Sequence, residues 1–215
     1  LLSRRQRQMC IRDSYDPAKI ENPDTSPVRA HEINEPVSIA RTGDTPDGRG
    51  IWLVDFGQNC TQRIRLRIAG LEAGQSVELH HVEVLEPNGE IATRTLRRGQ
   101  QHDIYTSNGT DAWWEPRFAM HGFRYAQIEG VVGELTVADI ECHVYHSVMD
   151  RAGELETSNP LLNRLHANAL WSMRSNFVSV PQDCPQRDER MGWTGDICLF
   201  APTAAYLYDC LLYTS

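Results

Sequence analysis

From Ile51 the chain alternates. Ile51, Leu53 and Asp55 face one way and Trp52, Val54 and Phe56 the other, while Ile64, Leu66 and Ile68 alternate with Arg63, Arg65 and Arg67. A period of two belongs to a strand with one buried face, so the second run is expected apolar side in and basic side out. Turn formers follow at 70–75, at Glu86-Pro87-Asn88-Gly89, at Asn108-Gly109, at His121-Gly122 and at 130–133. Between them the pattern predicts strands from 77 to about 85 and at 103–106, 112–118, 124–129 and 134–145. Many short strands set apart by turns fold as an antiparallel jelly-roll-like β-sandwich, assigned to residues 51–150.

The flanks follow other rules. Prolines at 17, 23, 27, 36 and 46 make 15–50 an extended entry segment with at most a short strand near 37–40. Strand alternation stops between Ser147 and Ser158, and a helical segment is assigned to 151–209. Asn159 is a good N-cap and Pro160 suits the first helical position. Leu161, Leu162, Leu165, Ala169, Leu170 and Met173 then form an apolar stripe at helical spacing, ending near Asn176 or Phe177. A second helix is expected from 196 to about 208, with Pro202 as its weak point.

Composition narrows the function classes. Over 215 residues the formal net charge is −8, which argues against nucleic-acid partners, because those are held by clustered Lys and Arg on phosphates. No run approaches the ~18 apolar residues of a membrane span, so no membrane partner is expected. Arg4, Arg5 and Arg7 are not followed by the apolar stretch of a signal peptide, and the compartment, cytoplasm or outside, stays open. Six cysteines show no CxxC pair and no His/Cys metal spacing. Reduced thiols are expected, and neither a metal nor another cofactor; His80, His81, His143 and His146 lie on strands without ligand spacing. Both ends, 1–14 with MCIRDS and 210–215 with CLLYTS, resemble translated sequencing-adapter read-through and are expected to be non-native.

The chemistry concentrates in 183–196. These fourteen residues, DCPQRDERMGWTGD, hold four carboxylates, two arginines and one tryptophan. Acids transfer protons, arginine grips hydroxyls or orients an acid, and an indole face stacks on a pyranose ring, so the set suits sugar chemistry. A solvated turn is the bland alternative for Arg187, Asp188, Glu189 and Arg190. Apolar flanks and Pro185, Gly192 and Gly195 favour instead a loop held against a core. Each residue has its plainer reading: helix capping for Asp196, an ion pair for Arg187, a core aromatic for Trp193, a buried structural thiol for Cys184. Trp113 and Trp114, with Arg117, His121 and Tyr125, read as a carbohydrate platform or as sandwich core.

That string, followed by APTAAY at 201–206, closely resembles the signature of the bacterial α-L-rhamnosidases, as do DFGQN at 55–59 and WEPRFAMHGFRY at 114–125. The resemblance covers about 52–208 and departs at Met191 and at Ile197-Cys198. It implies an inverting glycoside hydrolase whose β-sandwich precedes an (α/α) barrel of six helical hairpins, with 151–209 as the start of that barrel. It also implies Glu189 as the catalytic general acid, Asp183, Arg187, Trp193 and Asp196 as sugar-binding residues, and rhamnose-containing glycosides or polysaccharides as substrates. The general base comes from a later part of such a barrel. The rival reading is a noncatalytic carbohydrate-binding β-sandwich module with a helical appendage.

Overall fold

The computed structural model describes residues 26–209; the ends expected to be non-native, Cys10 and Cys210 included, lie outside the described residues. Eight strands form one antiparallel sheet: β1 (Val28–Asn34), β2 (Ser38–Asp44), β3 (Gly50–Ile68), β4 (Ser76–Val82), β5 (His102–Thr106), β6 (Ala112–Trp114), β7 (His121–Val131) and β8 (Ile140–Ser147). The order is β1-β8-β3-β7-β4-β5, with β2 and β6 also paired to β3. The sheet curls around one core because β3 runs through it. Its first half lies between β2 and β7, and its second half lies against β8 and β6.

The alternation puts Ile64, Leu66 and Ile68 inside as expected, and the fold settles that Trp52, Val54 and Phe56 are the inner set of the first run. Trp52, Val54, Phe56, Ile64, Leu66 and Ile68 of β3 are buried together with Leu79, Phe123, Ala126, Ile128 and Ile140. The register with β7 shifts between Asp55 and Cys60, where Gly57 takes φ 74°. Asp55 stabilises this bulge: it accepts the Gly57 N–H at 2.7 Å and both Arg124 guanidinium bonds at 2.8 Å.

Three expectations need correction. The entry segment contributes two seven-residue strands, β1 and β2, rather than one short one; β1 pairs with β8, far away in sequence, so no local pattern announced it, while β2 extends the strand expected near 37–40 and forms a hairpin with the neighbouring β3. The strand at 112–118 stops at Trp114, and Phe118 is fully exposed in the left-handed region at φ 61°. The strand at 134–145 begins at Ile140, after a 3-10 turn closed by a Thr136/Asp139 capping box.

Beyond the sheet come β9 (Asp150–Arg151), α1 (Pro160–Asn176), β10 (Phe177–Val178), β11 (Val180–Pro181), α2 (Thr194–Leu207) and β12 (Tyr208–Asp209). α1 starts as the sequence predicts: Asn159 Oδ1 accepts the Leu161 N–H at 3.0 Å, and Pro160 follows the cap. Its last turns are docked. Met173 and Phe177 share a second core with Ala204, Leu207 and Tyr208, and Thr61 Oγ1 donates to the Ser175 carbonyl at 2.6 Å. The other end of the stripe is bare, with Leu161, Leu162 and Leu165 exposed, as is Leu199 of α2. β12 pairs with β9 and returns the end of α2 to the junction. Cys60, Cys142, Cys184 and Cys198 are free thiols. No described helix is long and apolar enough to cross a membrane.

Candidate active site

The 183–193 stretch connects β11 to α2 and is seated on the sheet. Gly122 approaches it so closely that a Cβ there would lie 2.6 Å from Pro185 Cγ, and a Cβ on Gly99 would lie 3.0 Å from the Asp188 nitrogen. The Gln101 side chain grips Gly122 on both backbone groups, donating to its carbonyl at 2.8 Å and accepting its N–H at 3.0 Å. Arg190 Nη1 donates to the Met120 carbonyl at 3.1 Å. The segment is held against the sheet at Pro185, Asp188 and Arg190, although the Asp188 and Arg190 side chains themselves are exposed.

A chain of charges runs along it. Arg187 Nη2 stands 3.7 Å from Asp183 Oδ2, and Arg187 Nε stands 2.9 Å from Glu189 Oε2. The second contact is ionic rather than an aligned hydrogen bond, since Nε has no hydrogen-bond partner among the described residues. Glu189 Oε2 also meets Arg97 Nη1 at 2.7 Å. Arg97 is the contact that sequence reasoning missed: it sits in the left-handed region at φ 54°, after the 3-10 turn Arg94–Leu96. A non-glycine residue there is uncommon and worth notice. Nothing local in the sequence connects it with a glutamate so far along the chain.

Asp183 is the most enclosed of the candidates, its side chain 7 % exposed. Burial pushes its carboxyl up, but the Cys184 thiol, the Met191 N–H and the Arg187 charge outweigh that and hold it below the usual carboxylate range. The Cys184 thiol is raised, first by burial and then by its bond to Asp183 at 3.1 Å. A raised, buried thiol suits packing and not nucleophilic attack.

Two cavities share Asp183. One of about 270 Å³ lies between the end of α1 and the start of α2, where Trp193 and Asp196 join Asp183 over Met173, Phe177 and Phe200. The other, of about 410 Å³, is lined by Asp183 and Arg187 with Asn59, Glu83, Asn168 and Trp171. Asn59 belongs to the DFGQN bulge, and its side chain donates to Glu83 at 3.0 Å. The fold thus brings Asp183, Trp193 and Asp196 around one hollow and places Arg187 on the next. Glu189 lines neither and touches Arg187 and Arg97 instead. Trp193, 49 % exposed, is not a core aromatic. It is also the N-cap position of α2, which leaves Asp196 in the first turn without a side-chain capping bond. Arg187 does make the ion pairs of its plainer reading.

A curled antiparallel sandwich leading into a helical hairpin, with acids, arginine and indole at the junction, combines the residue types that glycoside hydrolase chemistry uses. Residues 45–146 match the bacterial alpha-L-rhamnosidase concanavalin-like domain, and residues 150–215 match the bacterial alpha-L-rhamnosidase 6 hairpin glycosidase domain. The chain belongs to the bacterial α-L-rhamnosidase family. It is 44 % identical to an alpha-L-rhamnosidase of Streptomyces avermitilis over 83 % of this chain and 18 % of that protein. The solved structure of the Streptomyces avermitilis enzyme complexed with L-rhamnose superposes with TM-score 0.80 at 42 % identity, over 88 % of this chain and 18 % of that one. An alpha-L-rhamnosidase from Dictyoglumus thermophilum gives TM-score 0.80 at 38 % identity, over 86 % of this chain and 20 % of that one. The chain therefore spans about a fifth of the length of the relatives it matches.

Proposed function

We propose that this chain carries the acid side of an inverting α-L-rhamnosidase site, with Glu189 as general acid and Asp183, Arg187, Trp193 and Asp196 binding the terminal rhamnose. The observation that carries the reading is the seating of the loop: a segment rich in carboxylates is fixed between sheet and helices, with Asp183 on the wall of both cavities. Buried Asp183 accepts hydroxyl hydrogen bonds, exposed Trp193 offers a ring face, and the 270 Å³ hollow between them is close to the ~300 Å³ at which ligand pockets begin. To protonate the leaving oxygen, Glu189 turns from Arg97 and Arg187, and a side chain 36 % exposed has room to do so. Residues 26–150, with β1 and β2 included, then form the sandwich unit and 151–209 the opening of the catalytic unit. The L-rhamnose complex of the Streptomyces avermitilis relative supports the choice of sugar.

Inversion needs a second carboxylate, roughly 6.5–9.5 Å from the acid, to activate water on the opposite face of the sugar. Asp183 and Asp188 share the acid's own loop and Asp196 opens the helix that directly follows it; on this reading all three lie on the acid's side of the sugar. The chain alone is therefore inactive, and the base is supplied by a longer protein containing this sequence. In that protein Glu189→Gln should lower turnover of a poor-leaving-group rhamnoside by about 10²- to 10⁴-fold while rhamnose binding persists. Activity within a few-fold of wild type would remove Glu189 from the role, and Glu189-dependent turnover by the 215-residue chain itself would show that no further base is needed.

One observation favours the rival, a noncatalytic carbohydrate-binding module: Trp113, 41 % exposed, borders a concavity of about 760 Å³ with Arg63, Arg65, Trp114, Glu115 and Arg117. The Arg65 guanidinium, 4.8 Å from the Trp113 ring centroid, already covers the stacking face. Trp113→Ala leaves rhamnose binding unchanged on the enzyme reading and abolishes it on the module reading.

A further inference from the structure

Three strands bring one donor each to a point inside the sheet: His81 from β4, Asp103 from β5 and His121 from β7. We propose that these side chains form a binding site for a divalent ion of the zinc class, which braces the part of the sheet on which the 183–190 segment rests. Their ligating atoms all lie within 4.8 Å of one another. His121 Nε2 donates to Asp103 Oδ2 at 3.0 Å, a proton that a bound ion would displace, and His81 Nε2 is 3.8 Å from the same oxygen.

The hydrogen bonds point to a cation. His81 Nδ1 is 3.1 Å from the Gln101 carbonyl, and a carbonyl only accepts, so Nδ1 carries the proton. In the neutral ring Nε2 then presents a lone pair to a carboxylate oxygen at 3.8 Å. Two acceptors face each other in a place where His81 is 1 % and Asp103 10 % exposed, and His81 Nε2 has no hydrogen-bond partner among the described residues. Buried polar atoms are nearly always paired, and an unpaired one asks for an ion or other partner. An imidazole whose far nitrogen donates to a backbone carbonyl is the arrangement that orients histidine ligands on a metal.

The donor set selects the ion. Two imidazoles and one carboxylate suit zinc or its neighbours and not calcium or magnesium, which take oxygen. A tetrahedral ion with bonds of about 2.05 Å holds its ligand atoms about 3.3 Å apart, so His81 closes in on binding while His121 and Asp103 already stand near that spacing. Asp103 also borders the concavity lined by Arg63 and Trp114, which supplies an entry path and room for a water as fourth ligand.

The site lies beneath the proposed acid loop. His121 precedes Gly122, against which Pro185 packs, and Gln101 both holds His81 through its carbonyl and grips Gly122 through its side chain. Two other clusters are weaker. Glu78, His80 and His102 are more exposed, and in the Asp183, Cys184 and Glu189 group both carboxylates already contact Arg187. The proposal is independent of which reaction the loop performs.

The test uses the 215-residue chain, stripped with chelator and dialysed against Zn²⁺. One retained equivalent and a raised thermal midpoint are expected. Co²⁺ in its place should give the visible bands of a tetrahedral nitrogen and oxygen site, without the strong thiolate charge-transfer band. Asp103→Asn and His121→Gln should lose the equivalent, and the His80→Ala/His102→Ala double variant and Cys184→Ser should keep it. Failure of the wild-type chain to retain zinc overturns the proposal, as does a thiolate band, retention in both Asp103→Asn and His121→Gln, or loss in the double variant. If the Asp103 and His121 variants do not fold, the wild-type stoichiometry and cobalt spectrum decide.

Discussion

Gly122→Ala tests the seating of the loop directly. Gly122 has no positive φ, so alanine is backbone-compatible and the penalty is steric. The added Cβ would meet Pro185 Cγ at 2.6 Å and Cβ at 2.9 Å, where ordinary contact begins at 3.4 Å, so something must give by 3.4 − 2.6 = 0.8 Å. Gly122 cannot retreat without breaking its two bonds to Gln101. Pro185 has to move, and the loop moves with it. Overpacking of this kind costs about 1–3 kcal/mol. At 1.36 kcal/mol per decade, local opening of the loop should rise about 5- to 150-fold. The buried Cys184 thiol reports that opening, because it adjoins Pro185 and is 5 % exposed. With Cys10, Cys198 and Cys210 replaced by serine, its labelling by a disulfide reagent should accelerate by that factor. The sheet's denaturant midpoint should move less than the labelling rate implies, because the strain falls on the loop. Labelling unchanged, with stability altered by less than about 0.5 kcal/mol as for a neutral surface change, would refute the contact.

Two further outcomes follow from the sheet. Asp55→Asn should lower stability near neutral pH: bonding from Arg124 and the Gly57 N–H outweighs burial and holds the Asp55 carboxyl below 3.8. A depressed folded-state value contributes stability above the unfolded value near ~3.9 and loses it as pH falls through the folded one. Urea midpoints of wild type and variant should therefore converge in acid, and a gap independent of pH would show that the ion pair is not the cause. A piece spanning 26–148 should melt cooperatively with a sheet spectrum, because its core draws only on sheet-domain residues; a piece starting at 52 omits β1 and β2 and should be less stable.

What the sequence determined by itself is local. Alternation of Ile64, Leu66 and Ile68 with arginines named the buried face of the second half of β3, because side-chain direction in a strand depends only on parity; in the first half it separated two sets, and the fold chose Trp52, Val54 and Phe56 as the buried one. Asn159-Pro160 named the start of α1 because capping is completed within one turn. The 183–196 string pointed to a candidate site because residue types that do sugar chemistry are crowded into one segment. The tertiary structure alone decided what lies across the register. Strand pairing brings β1 to β8, and the curl of the sheet delivers Arg97 to Glu189 and Gly122 to Pro185. It also sets His81, Asp103 and His121 side by side, although no local spacing links them. Whether Trp193 packs in a core or faces solvent was likewise decided by where the helices dock. A periodicity of two or of 3.6 states which side of an element is apolar; the identity of the neighbour on that side comes from long-range pairing, which no window of a few residues contains.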